Sequence, residues 1–199
     1  MGLVFKTPFN DDIDRQSYSY ELFPETNETI SRIAQFKEVI QMPMSNGLGV
    51  LYKLTDNFFV SGDIYRTNWN QFEYIKNDQE KVSILQIPLA QSQVKPATHI
   101  RFGIEYKLKY KSKDVWLPLR AGLFYDPVAS DNNPDDMYGI SLGFGITANE
   151  LFSFDMAYQY RYGKNLFSYM VKGMDFSRKL DEHLIYLSLI IYYNSSLPN

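Results

Sequence analysis

Thr98-His99-Ile100-Arg101-Phe102-Gly103-Ile104-Glu105-Tyr106-Lys107-Leu108-Lys109-Tyr110 alternates without a break. Ile100, Phe102, Ile104, Tyr106, Leu108 and Tyr110 fall on one face, and His99, Arg101, Gly103, Glu105, Lys107 and Lys109 on the other. A period of two belongs to a β-strand, whose successive side chains point to opposite sides. Length decides where such a strand resides. Globular strands average about five or six residues, whereas a tilted strand crossing a bilayer needs about 9 to 11.

The same pattern recurs on both sides of this stretch. Val115, Leu117, Leu119, Ala121, Leu123 and Tyr125 oppose Trp116, Pro118, Arg120, Gly122 and Phe124. Tyr138, Ile140, Leu142, Phe144 and Ile146 oppose a row of small residues, Gly139, Ser141, Gly143, Gly145 and Thr147. Phe152, Phe154, Met156, Tyr158, Tyr160 and Tyr162 oppose Ser153, Asp155, Ala157, Gln159, Arg161 and Gly163, and Ile185, Leu187, Leu189, Ile191 and Tyr193 form a last apolar row. Upstream, Phe58, Val60, Gly62 and Ile64 alternate with Phe59, Ser61, Asp63, Tyr65 and Thr67, after a strand carrying Leu48, Val50, Tyr52 and Leu54. Residues 2–7 descend, 12–22 ascend and 36–54 descend as one extended segment through Pro43, which makes about nine antiparallel strands. One face is almost wholly Ile, Leu, Phe and Tyr, and the other holds charges, Gly and Ser. A soluble barrel or sandwich would turn the apolar face inward and leave Gly and Ser facing water. An outer-membrane barrel turns it to lipid and uses the small polar row as a lumen wall.

Composition agrees with that polarity. Aromatic residues make up 16% of the chain, with 16 Tyr and 14 Phe against 2 Trp. Tyrosine, apolar in its ring and polar at its tip, suits the boundary between hydrocarbon and water. No run approaches the roughly 18 apolar residues of a spanning helix. The net charge of −3 is spread without a basic stripe, so nucleic acid is excluded as a partner. Cysteine is absent, which removes disulfides, thiolate metal sites and cysteine nucleophiles.

Connections alternate short and long. Thr55-Asp56-Asn57, Lys111-Ser112-Lys113-Asp114 and Ala148-Asn149-Glu150 have the polar character of hairpin turns, and residues 77–97, 127–136 and 164–182 form long connections. In bacterial outer-membrane barrels the short turns are periplasmic and the long loops extracellular. The strand over residues 184–193 then descends to a periplasmic end. Nine strands would leave both outer strands descending, which forbids antiparallel closure and implies an open sheet or partial barrel. About five more strands, with a signal peptide, are expected upstream.

No catalytic constellation stands out, and neither a metal nor a cofactor is expected. His99 and His183, with no cysteine beside them, are a poor ligand set. The glycines at 139, 143 and 145 lie within a strand and precede no helix that would receive a phosphate. The charges on the lumen face are more informative. Asp63, Glu105, Arg120 and Asp155 each stand a similar number of residues above a short turn and should form a belt, with Arg101 and Arg161 nearby. Glu105 and Arg120 should pair across their hairpin. The belt either braces the wall or contacts a ligand.

Several segments together resemble the C-terminal part of the FadL/TodX family of outer-membrane transport proteins. They are Gly2-Leu3-Val4-Phe5-Lys6-Thr7-Pro8; Met42-Pro43 with Gly47-Leu48-Gly49-Val50-Leu51-Tyr52; Asp63-Ile64-Tyr65-Arg66-Thr67-Asn68-Trp69-Asn70-Gln71-Phe72; Arg101-Phe102-Gly103-Ile104-Glu105-Tyr106; Leu119-Arg120-Ala121-Gly122-Leu123-Phe124-Tyr125-Asp126-Pro127; Gly143-Phe144-Gly145; and Asp155-Met156-Ala157-Tyr158. The resemblance implies a barrel of about fourteen strands, occupied by an N-terminal hatch, in the bacterial outer membrane. On that count this chain starts at about the sixth strand, downstream of the hatch. It implies passage of long-chain fatty acids or other hydrophobic compounds, no enzymatic activity, and contact with outer-membrane lipids and the barrel-assembly machinery. The tail Asn194-Ser195-Ser196-Leu197-Pro198-Asn199 departs from the family's terminal aromatic residue. The competing functions are a non-transporting structural or secretion-associated barrel and a soluble lipid-binding barrel.

Overall fold

A computed structural model describes residues 1–23, 28–110, 115–148, 152–167 and 178–192. The turns at 111–114 and 149–150, and the chain after Tyr192, lie outside the described residues. The strands are β1 (Gly2–Lys6), β2 (Phe9–Phe23), β3 (Glu28–Met42), β4 (Ser45–Lys53), β5 (Phe58–Thr67), β6 (Glu73–Ile75), β7 (Lys81–Val82), β8 (Ala97–Tyr110), β9 (Val115–Tyr125), β10 (Met137–Ala148), β11 (Phe152–Leu166) and β12 (Arg178–Ile191), with one turn of 3-10 helix at Trp69–Gln71. Among the described residues no helix is long and apolar enough to cross a membrane.

The wall is an open antiparallel sheet in the order β1-β4-β5-β8-β9-β10-β11-β12. Among the described residues it contains eight strands, not nine, and the difference lies at the start of the chain. The segment 36–54 does not run as one strand, because Pro43 lacks the N–H a ladder needs. β3 therefore ends at Met42 and β4 begins at Ser45. β2 and β3 form a long hairpin outside the wall, and β1 pairs directly with β4 through Gly2↔Gly49 to Lys6↔Ser45. β1 thus ascends while β12 descends. Strand parity would permit antiparallel closure, yet among the described residues β1 and β12 are unpaired edges. The openness expected from an odd count is present for another reason.

A second sheet, β2-β3-β6-β7, gathers the two long connections β1–β4 and β5–β8 at one end of the wall. Its joint is polar and well made. Arg15 donates to both oxygens of Glu38 at 3.1 and 2.8 Å, and the Tyr74 hydroxyl of β6 donates to the same carboxylate. Only 2% of the Glu38 side chain is exposed. Arg15, with Tyr74 behind it, holds the Glu38 carboxyl below the usual carboxylate range. A carboxyl depressed on folding stabilises the joint above its unfolded pKa of about 4.3 and releases it as pH falls through the lower folded value. Amide exchange at Tyr74 and Ile75 is expected to stay slow across the ordinary carboxylate range and to rise only in stronger acid. In Glu38→Gln it should be fast already at neutral pH and lose the acid-dependent step; unchanged protection in that variant would refute the joint's role.

The interior is small and sits at the same end. Phe72, Val82, Val94, Ala97, Met137 and Leu166 are its buried apolar residues, all in the long connections or at the strand ends beside them. The wall has no such core. Phe102, Leu142 and Leu189 are 50, 56 and 63% exposed, so no second layer covers their face and a compact sandwich is excluded.

At the opposite end the turn after β4 is short. Thr55 Oγ1 accepts from the amides of Asn57 and Phe58 at 3.3 and 3.1 Å, and Lys53 reaches Asp56 at 2.7 Å. A side chain that caps its own turn fixes the hairpin locally.

Candidate functional site

The concave side of the wall forms a trough of about 810 Å³ lined by residues of β5, β8, β9, β10 and β11. Its polar side chains come from the charged and small row of each strand, because a pleated strand sends alternate residues to opposite faces.

Arg120 is the centre of the trough. It lies directly opposite Glu105, and its Nε donates to Glu105 Oε2 at 2.6 Å. Its other cross-strand neighbour is Gly143. A glycine has no side chain to obstruct the way, so the guanidinium passes over β10 and its Nη1 donates to Asp155 Oδ1 on β11 at 2.5 Å. Gly145 serves the same bridge, since a Cβ there would run into the Asp155 carboxylate. Lys107 approaches Glu105 at 3.3 Å, and Ser153 donates to the second Asp155 oxygen at 3.1 Å. The two carboxylates are therefore satisfied on several sides, as charge-assisted pairs in a partly dry site must be.

Two further groups stand nearer the long-loop end. Arg101 donates to Asp126 Oδ2 at 3.0 Å, and His99 Nδ1 lies 3.2 Å from Asp126 Oδ1. Arg161 reaches Glu182 at 3.2 Å. Asp63 is in register with Arg101, four residues from the Phe59↔Glu105 pair, and makes no ion pair among the described residues. The six charges singled out in the sequence thus divide: Glu105, Arg120 and Asp155 meet, Arg101 and Arg161 turn to other acids, and Asp63 stands apart. Counting from the turns neglects the stagger between strands, by which Phe58 meets Tyr106 and residues 107–110 run on beyond β5.

Asp126, His99, Glu182 and Lys107 are the partners that strand counting missed. Asp126 follows the last residue of β9, and Tyr125 pairs with Ile100, so the acid falls opposite His99 and diagonal to Arg101. An Asp-Pro step ending an alternating run next to a lumen-facing Arg was the available signal. The arrangement has fixed, mutually compensated charges and, among the described residues, no group of acids and histidines able to hold a metal. It is suited to shaping a passage.

The family described as outer membrane protein transport protein (OMPP1/FadL/TodX) matches the chain over residues 17–179. No curated protein matches it.

Proposed function

The chain belongs to the outer membrane protein transport protein (OMPP1/FadL/TodX) family, and from that membership we propose that it forms the wall of a passage for hydrophobic compounds across the bacterial outer membrane. The family is one of transport proteins of the outer membrane, not enzymes. The match over 17–179 carries the proposal, since it spans β3 through β11 and with them the whole trough.

The state of the trough's cations bears on the cargo. Arg101, Arg120, Arg161 and Lys107 each already face a carboxylate. A fatty acid headgroup would have to displace one of these acids, whereas an uncharged hydrophobic compound need displace none. Uncharged compounds are therefore the favoured cargo and long-chain fatty acids the second. The test is uptake of a labelled alkylbenzene and a labelled long-chain fatty acid by cells lacking the gene, with and without the full-length gene restored. Equal uptake of both with and without it would overturn the proposal.

A narrowed trough supplies an independent check. A Cβ at Gly103 would meet the rotatable Ser61 hydroxyl at 2.9 Å and the Ala121 carbonyl at an ordinary 3.8 Å, so a larger side chain is tolerated and projects into the passage. Gly103→Phe should assemble normally and reduce uptake several-fold; undiminished uptake with normal assembly would show that cargo does not use the trough.

A further inference from the structure

On the other side of the wall, at the long-loop end, β9, β10 and β11 leave a slot of about 320 Å³ bounded by Leu123, Tyr138, Ile140, Tyr160 and Tyr162. The slot is floored where Gly139 has no side chain and the Phe124 ring lies across it. Tyr138 and Tyr162 are register partners and close its upper end, and Ile140 and Tyr160 form the next row. Two ammonium groups stand over the Tyr162 ring, Lys164 Nζ at 5.7 Å and Lys179 Nζ at 5.6 Å from its centroid. Asp181 takes Lys179 at 2.9 Å, and Lys164 has no carboxylate partner among the described residues.

Family membership turns this face to the bilayer, where neither an empty groove nor a water-filled one is stable: hydrocarbon packs into it. The cationic rim lies at the level where headgroups begin, marked by the tyrosines. We propose that the slot and Lys164 seat a membrane lipid with a phosphate headgroup, one acyl chain along Ile140 and Tyr160 and the phosphate against Lys164, while Asp181 keeps Lys179. Chain and charge are separated along the strand direction, as in an amphiphile lying parallel to the wall. A free anion would gain nothing from the slot, and an uncharged lipid nothing from the lysine. The cargo trough is on the opposite face, so the site is independent of the substrate proposed above.

The full-length protein, folded in uncharged detergent and incubated with phosphatidylglycerol or with diacylglycerol of the same chains, would be weighed by native mass spectrometry. Selective retention of one phosphatidylglycerol is expected. K164Q should weaken it about fivefold, the loss of one lysine beside a charged headgroup. L123W, which fills the slot and leaves Lys164, should weaken it as well. Equal retention of diacylglycerol in the part that L123W removes, or complete displacement of phosphatidylglycerol by inorganic phosphate, would overturn the proposal.

Discussion

Leu142→Arg is expected to cost about 2 to 4 kcal/mol of folding stability in a bilayer, the cost of placing a guanidinium near the midplane on the lipid side of a barrel wall. Phe154→Arg, two residues from the short-turn end of β11, should cost less. Leu142 stands midway along β10, flanked in register by Ala121 and Tyr158, and Phe154 pairs with Ile146 and Leu189 on the same apolar face. Gln159→Arg supplies the control. It lies in register with Ser141 on the trough face, where water and carboxylates receive a cation, and should cost far less. The measurement is reversible unfolding by urea in phospholipid vesicles, with the full-length protein. If Gln159→Arg were the costly substitution and Leu142→Arg the neutral one, lipid and lumen faces would have to be exchanged.

Arg120→Leu carries the second large effect. It removes the group that joins Glu105 on β8 to Asp155 on β11 and leaves the two carboxylates, three strands apart on one concave face, without their shared cation. Breaking a fully buried pair in this way costs about 3 to 5 kcal/mol. Arg120 retains 43% exposure of its side chain, so water screens part of the loss and about 1 to 3 kcal/mol is expected. Neutralising the acids as well, in Arg120→Leu with Glu105→Gln and Asp155→Asn, should restore much of that stability. A double-mutant cycle between positions 120 and 155 with no coupling beyond about 0.5 kcal/mol would show that the bridge across Gly143 contributes nothing.

Much of this was legible because it depends on neighbouring residues. The alternation over 98–110, 115–125 and 152–162 placed three long strands and both their faces, and the Glu105–Arg120 pair follows from the length of one hairpin. The bridge to Asp155 was less accessible. It depends on Gly143 lying between Arg120 and Asp155, and so on the registers of β9 with β10 and of β10 with β11 together. Asp126 escaped notice because it sits one residue beyond its strand, where alternation no longer says which way a side chain points.

The sequence by itself determined the strand-built class of this protein, the apolar and polar faces of its wall and the family to which the wall belongs. These are properties of period and order, which survive without knowledge of what pairs with what. Tertiary structure alone decided which strands make the wall. Residues 12–22 alternate weakly and their hairpin partner is polar, so pattern could not tell a wall strand from an arm. The choice fell to distant pairings, β1 with β4 across the whole β2–β3 hairpin, and β3 with β6 through Glu38, Arg15 and Tyr74. Such contacts compete on the free energy of bringing remote segments together, a quantity that no local window of residues contains.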